Sequence, residues 1–248
     1  MRKSTNVNKK YIYLFFLLFL LLSNIYCFFI GRGVGPNYYF NRIVFGPTDN
    51  IIELSIYQDL CEEYRLLNQR YKGKKVIVFL GDSITKRFNL NEFFPGVLIL
   101  NRAIFYDTTL GVINRLNTNI NYLDIDKLFL MIGYNDLKYR TNAEIIQNIS
   151  YILSRARARQ IYLQSLLPVT STRKHDNQRI AHLNAELRNL TNRSGHYYID
   201  LYPRFVDEKG GLSANYSRDG VHLNASGYQL WCDTIRPMVV DDPKTSGS

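Results

Sequence analysis

The sequence predicts an α/β fold, a five-stranded parallel sheet lying between layers of helices, preceded by one N-terminal transmembrane helix. Three observations predict it. Short apolar runs rich in β-branched residues alternate with segments of helical periodicity, the signature of a parallel sheet with helical crossovers. The first such run, Lys75-Val76-Ile77-Val78-Phe79-Leu80, stops abruptly at Gly81-Asp82-Ser83, as a strand buried on both faces does at the sheet edge. Before all of this, residues 11–30 are uncharged and apolar apart from Ser23 and Asn24, and about 20 such residues span a bilayer as a helix.

The elements follow in order. Ile52, Leu54, Ile56, Tyr57, Leu60, Tyr64 and Leu67 recur at helical spacing and predict a first helix over 51–71. Strand one follows at 75–80, and Val97-Leu98-Ile99-Leu100 makes a second strand ending at Asn101. Residues 110–116 read as helix, and Lys127 to Ile132 as a third buried strand that stops at Gly133-Tyr134-Asn135-Asp136. A helix runs from Asn142, a favourable cap, to Arg157. Residues 160–166 form strand four, ended by Pro168, and 177–191 a helix with Ile180, Leu183, Leu187 and Leu190 on one face. Residues 196–200 make strand five and 226–238 a closing helix.

The 248 residues therefore divide into a basic cytoplasmic tail (1–10), a membrane anchor (11–30), a juxtamembrane linker (31–50), a globular domain (51–240) and a polar tail (241–248). Arg2, Lys3, Lys9 and Lys10 precede the apolar stretch, which keeps the N-terminus cytoplasmic and sends the domain to the periplasm or cell exterior. Asn24 to Phe28 offers no small-x-small cleavage site, and Ile25 and Tyr26 do not suit a lipoprotein signal at Cys27. The net charge of +10 is spread out, densest at Arg155-Ala156-Arg157-Ala158-Arg159, which reads as the solvated end of a helix. No nucleic-acid-binding motif is present. Cys61 and Cys232 either pair in an oxidising compartment or remain buried thiols; neither has His or Cys neighbours at metal-ligand spacing.

Chemistry concentrates where strands end. Loops that follow parallel strands gather at one sheet edge, so Ser83, the loop through Asn101 to Thr108, the segment 133–136 and Asp219-Gly220-Val221-His222 can converge. Ser83 is then a candidate nucleophile, His222 its base and Asp219 the carboxylate that orients the ring. The backbone N–H of Ser83, a second N–H from the loop after strand two and the Asn135 side-chain amide are candidate oxyanion donors. His175, His182 and His196 have no serine motif nearby.

Gly81-Asp82-Ser83, Gly133-Tyr134-Asn135-Asp136 and Asp219-Gly220-Val221-His222 resemble blocks I, III and V of the SGNH, or GDSL-type, hydrolases, and residues 101–109 resemble block II. The resemblance covers nearly the whole domain. It implies a flavodoxin-like α/β/α sandwich and a serine esterase without metal or other cofactor. It assigns the catalytic roles to Ser83, His222 and Asp219, the oxyanion hole to Ser83, Tyr106 and Asn135, and supporting positions to Asp82 and Gly133. Block II departs from the family: Ala103, Phe105 and Tyr106 stand where glycines are usual, and Tyr106 holds the position whose backbone N–H faces the oxyanion. The expected function is a membrane-anchored esterase removing acetyl or similar acyl groups from a carbohydrate. The alternatives are an O-acetyltransferase using the same triad, or a weakly active glycan-binding module.

Overall fold

In a computed structural model that describes residues 51–240, the sheet order is β2-β1-β3-β4-β5, all parallel. The strands are β1 (Lys75–Gly81), β2 (Ile99–Asn101), β3 (Asp124–Met131), β4 (Ala158–Gln164) and β5 (Tyr197–Ile199). This 2-1-3-4-5 order is that of flavodoxin-like folds, whose ligands sit at the switch point between β1 and β3. The chain steps from β1 to β2 in one direction and from β3 to β5 in the other. Since such crossovers are right-handed, the reversal distributes the connecting helices over both faces. The helices are α1 (Ile51–Asn68), α2 (Ser83–Lys86), α3 (Leu90–Phe93), α4 (Thr109–Arg115), α5 (Asn142–Arg155), α6 (Lys174–Ser194), α7 (Tyr202–Phe205) and α8 (Ala225–Val239). Residues from Ser55 onward form one unit.

β1 is buried from Val76 to Gly81, as its unbroken apolar run requires. Phe79, Phe129, Tyr162 and Tyr197 stack across four strands with ring centroids 4.6, 4.8 and 4.8 Å apart. Phe88 meets Phe79 edge-on and packs against Trp231 of α8 at 4.8 Å, so the closing helix covers that aromatic face. The Trp231 indole donates to Gln164 Oε1 at 2.7 Å, which satisfies the buried N–H.

Element boundaries shift where local chemistry outweighs periodicity. The cap of α5 is Thr141 and not Asn142, because Thr141 and Glu144 close a reciprocal capping box. Of the Arg-rich run only Arg155 closes that helix. Ala156 turns extended, Ala158 and Arg159 enter β4, and Arg159 pairs with Asp126 at 2.7 Å. β3 begins at Asp124, three residues before its apolar core, because it pairs with β1 from Lys75 onward. The four-residue helices α2, α3 and α7 are too short to show a period in sequence.

Cys61 and Cys232 are free thiols, Cys232 buried and Cys61 only half-buried. The predicted tail 1–10, anchor 11–30, linker 31–50 and tail 241–248 lie outside the described residues. Among the described residues no helix is long and apolar enough to cross a membrane.

Because Phe129 is fully buried with rings stacked on both sides, Phe129→Ala is expected to cost about 3–5 kcal/mol of stability. Urea unfolding checks this, and a loss below about 1 kcal/mol would show that the stack is not part of a close-packed core.

Candidate active site

Gly81 is the last residue of β1, and no larger residue fits there: an added Cβ would lie 2.3 Å from the Met131 carbonyl oxygen and 2.4 Å from Thr85 Oγ1. Asp82 then caps α2, its Oδ1 accepting from Ile84 N at 3.0 Å. Ser83 is the first helical residue, so its N–H has no intrahelical acceptor and is available to a ligand. Tyr228 of α8 donates to the Ile84 carbonyl at 2.7 Å and fastens α2 to the helix that follows His222.

The Ser83 hydroxyl lies 3.0 Å from His222 Nε2, and His222 Nδ1 lies 2.8 Å from Asp219 Oδ2. An ionised carboxylate only accepts, so Nδ1 carries the proton and leaves Nε2 free to accept from Ser83. The other carboxylate oxygen of Asp219 accepts from the backbone N–H of His222 at 2.8 Å and of Val221 at 3.0 Å. Desolvation works to raise the Asp219 pKa, but the His222 ring and these two N–H groups outweigh it and hold the carboxyl well below the usual range. Gly220 makes the turn possible. Its φ of +77° is left-handed, and a Cβ would stand 2.7 Å from Thr170 Cβ. Ser217 closes the loop, its hydroxyl donating to the His222 carbonyl at 2.7 Å and accepting from Gly220 N at 2.9 Å.

The loop after β2 is held against the end of β1 by Arg102 N to Phe79 O at 2.8 Å and Ile104 N to Gly81 O at 3.1 Å. Its Asp107 is fully buried and takes a bidentate ion pair from Arg115 at 2.9 and 2.6 Å. Asn135 donates one amide N–H to the Asp107 carbonyl at 2.9 Å, which leaves the second for a ligand. Asp136, also buried, accepts from both the N–H and the hydroxyl of Thr109, at 2.9 and 2.6 Å. Gly133 ends β3 with φ +126°. Tyr106 has φ +61°, the left-handed value of a glycine, and is the one such non-glycine among the described residues. Its ring is 55% exposed, so the tyrosine has kept the backbone shape and placed its side chain outward.

Ser83, His222 and Asp219 thus form one hydrogen-bonded chain, and Asn135 is stitched to the loop that carries Tyr106. No hydrogen bond joins Asn135 or Tyr106 to Ser83 directly. Sequence reasoning missed Asp107, Arg115, Ser217, Thr170 and Tyr228. Of these, Asp107, next to Tyr106, and Ser217, two residues before Asp219, stood close enough in sequence to signal their part. Among the described residues no group of three or more His, Cys, Asp or Glu could hold a metal ion.

The profile of the GDSL-like Lipase/Acylhydrolase family matches residues 79–230, well over half of the chain. The chain belongs to that family. This hydrolase is a serine ester hydrolase by family. It is similar to an N-acylneuraminate cytidylyltransferase of Escherichia coli, 31% identical over a 199-residue alignment that covers 75% of this chain; the chain spans 46% of that relative's length. Among solved structures it resembles a Streptococcus pneumonia protein provisionally named a platelet activating factor, with TM-score 0.68 and 26% identity over 75% of this chain and 94% of that one. An acetyl-xylooligosaccharide esterase of Geobacillus stearothermophilus shares the fold at TM-score 0.57 and 16% identity, over 68% of this chain and 95% of that one.

Burial, and after it the charges of Asp107 and Asp136, push the Asp82 carboxyl up to about 7. The folded chain therefore holds the Asp82 proton more tightly than the unfolded chain, where the pKa is about 3.9. That contribution to stability is complete below about pH 4 and is lost as pH rises through 7. Asp82→Asn is expected to gain on the wild type in urea midpoint across this window, and a constant difference from pH 4 to pH 8 would refute the assignment. Left-handed backbone costs a non-glycine residue roughly 1–2 kcal/mol. Tyr106→Gly is accordingly expected to leave stability unchanged or raise it by up to about 1 kcal/mol, and a clear loss in thermal unfolding would show that the ring itself packs.

Proposed function

We propose that Ser83 is the nucleophile, His222 the general base and Asp219 the orienting acid of an esterase that removes small acyl groups, acetyl foremost, from a carbohydrate. The single observation carrying this reading is the chain of contacts Ser83 Oγ, His222 Nε2, His222 Nδ1, Asp219 Oδ2 at 3.0 and 2.8 Å. Ser83 attacks the ester carbonyl while its proton passes to Nε2, and Asp219 stabilises the imidazolium so formed. The tetrahedral oxyanion is received by the Ser83 N–H, the free amide N–H of Asn135 and the backbone N–H of Tyr106. Collapse releases the alcohol, which takes the proton from His222, and leaves an acyl-serine. Water, deprotonated by the same imidazole, then releases the carboxylic acid and regenerates Ser83.

The glycan substrate draws support from two resemblances: one neighbour is named an acetyl-xylooligosaccharide esterase, and one relative is named for an N-acylneuraminate, an acylated sugar acid. In the same reading residues 11–30 anchor the chain, with the domain on the periplasmic or extracellular side. An acetyltransferase would use the same acyl-serine and hand it to a sugar hydroxyl in place of water. Against the binding-module alternative, Tyr106 retains the left-handed backbone that this loop position favours in glycine.

The test uses the full chain in detergent with p-nitrophenyl acetate and longer-chain esters. Wild type is expected to prefer acetate and to be labelled by a fluorophosphonate probe. Ser83→Ala and His222→Ala should each lose about 10⁶-fold in kcat, and Asn135→Ala about 10²–10³-fold. Turnover that survives in Ser83→Ala, or a wild type that neither turns over nor labels, would overturn the assignment.

A further inference from the structure

The segment between β4 and α6 is built into the rim of the site. Thr170 N donates to the Gly220 carbonyl at 2.8 Å, between Asp219 and His222, and Arg173 N donates back to Thr170 O at 2.9 Å. Asn177 clamps the same segment through Val169, accepting from its N–H at 2.8 Å and donating to its carbonyl at 2.9 Å. At the end of this braced turn the exposed Arg173 reaches across to Tyr134, whose hydroxyl accepts from Arg173 Nη1 at 2.8 Å. Tyr134 immediately precedes Asn135. Arg173 therefore bridges the loop that carries the base and the loop that carries the amide donor.

We propose that Arg173 and Tyr134 form a clamp for a carboxylate on the substrate, so that the enzyme deacylates an acidic sugar in preference to a neutral one. This rests on the esterase reading above and names its substrate class. The guanidinium has five N–H donors and spends one on Tyr134. No ion pair of Arg173 with a carboxylate occurs among the described residues, and the Tyr134 hydroxyl proton has no acceptor among them. A guanidinium fork beside a neutral O–H matches the oxygens of a carboxylate. Asp176 lies in the field of Tyr134 and so also faces the clamp. The Arg173 guanidinium with a carboxylate nearby suits a monoanion better than a phosphate dianion. Because the turn is held by its own backbone and by Asn177, the guanidinium is positioned before substrate arrives, which limits the ordering cost of binding.

The test compares full-chain wild type, Arg173→Gln, Arg173→Lys and Tyr134→Phe on matched O-acetyl esters of a hexuronic acid, its neutral hexose counterpart and a hexose phosphate. Wild type is expected to favour the hexuronate by roughly tenfold or more in kcat/KM. Arg173→Gln should abolish that ratio, chiefly through KM, while Arg173→Lys retains part of it. The ratio should also fall with added salt. A wild type without preference, a preference that survives in Arg173→Gln, or a stronger preference for the phosphate would each overturn the proposal. Calorimetric binding of free hexuronate to Ser83→Ala separates this idea from the esterase reading. Binding lost on adding Arg173→Gln supports the clamp whether or not turnover is seen, and no binding in Ser83→Ala sinks it while leaving the triad untouched.

Discussion

The site depends on the ion pair between Asp107 and Arg115, both buried, at the base of the loop after β2. A buried carboxylate is tolerated only when its charge and lone pairs are met. Here Arg115 meets one oxygen in bidentate fashion, while the Thr108 N–H at 2.9 Å and the Tyr57 hydroxyl at 3.3 Å meet the other. Arg115 also donates to the Arg102 carbonyl at 2.7 Å, so the pair ties both ends of the loop together. With Asp107 fixed, its own carbonyl becomes a fixed acceptor for Asn135. A loop buried at all but Phe105 and Tyr106 thereby becomes a fixed platform with Asn135 fastened to it. Oxyanion stabilisation requires that kind of preorganisation.

The base is held by different means. Asp219, Gly220, Val221 and His222 form a tight loop in which one carboxylate receives two backbone N–H groups and the imidazole. Its supports are short-range except for Thr170, fifty residues earlier, whose N–H donates to the Gly220 carbonyl. The side chain of Asp219 remains about half exposed and that of His222 about a quarter exposed. Water and substrate can therefore reach the ring, as deacylation demands. Anchorage by α8, through Tyr228 to the nucleophile helix and Trp231 to β4, keeps this loop in register with Ser83.

The strands and the serine, histidine and aspartate were legible because their signals are local. An apolar run that ends at Gly81-Asp82-Ser83 reports its burial and its exit in nine residues, and Asp219 stands three residues from the ring it contacts. The partners that hold these pieces were not legible, because they meet across the sequence. Thr170 lies fifty residues before Gly220, and Asp136 reaches back to Thr109. Arg115 carried no signal of its own in the helical stretch 110–116, yet it is buried on Asp107. The strained backbone at Tyr106 was foreshadowed by the missing glycine, but the sign of φ is decided by the loop's hydrogen bonds and not by the residue. Free Cys61 and Cys232 likewise depend on three-dimensional placement that spacing does not encode.

Three buried aspartates beneath a centre that must develop negative charge would oppose the reaction if all carried their charge unpaired. Each is compensated in its own way. Asp107 is paired with Arg115, and Asp136 with Arg140 at 3.2 Å and with Thr109. Asp82 has no cation, and its raised pKa, set by burial and by those two neighbours, lets it hold a proton near neutral pH while its oxygen still caps α2. The carboxylate held in its charged form is Asp219, on the far side of the imidazole, where the proposed mechanism develops positive charge. Negative charge is thus stabilised where the oxyanion donors gather and balanced where the imidazolium forms. The charges of Asp107 and Asp136 still act on Asp82, next to Ser83, but each is met by a cation, and their hydrogen bonds hold the loops of the site in place.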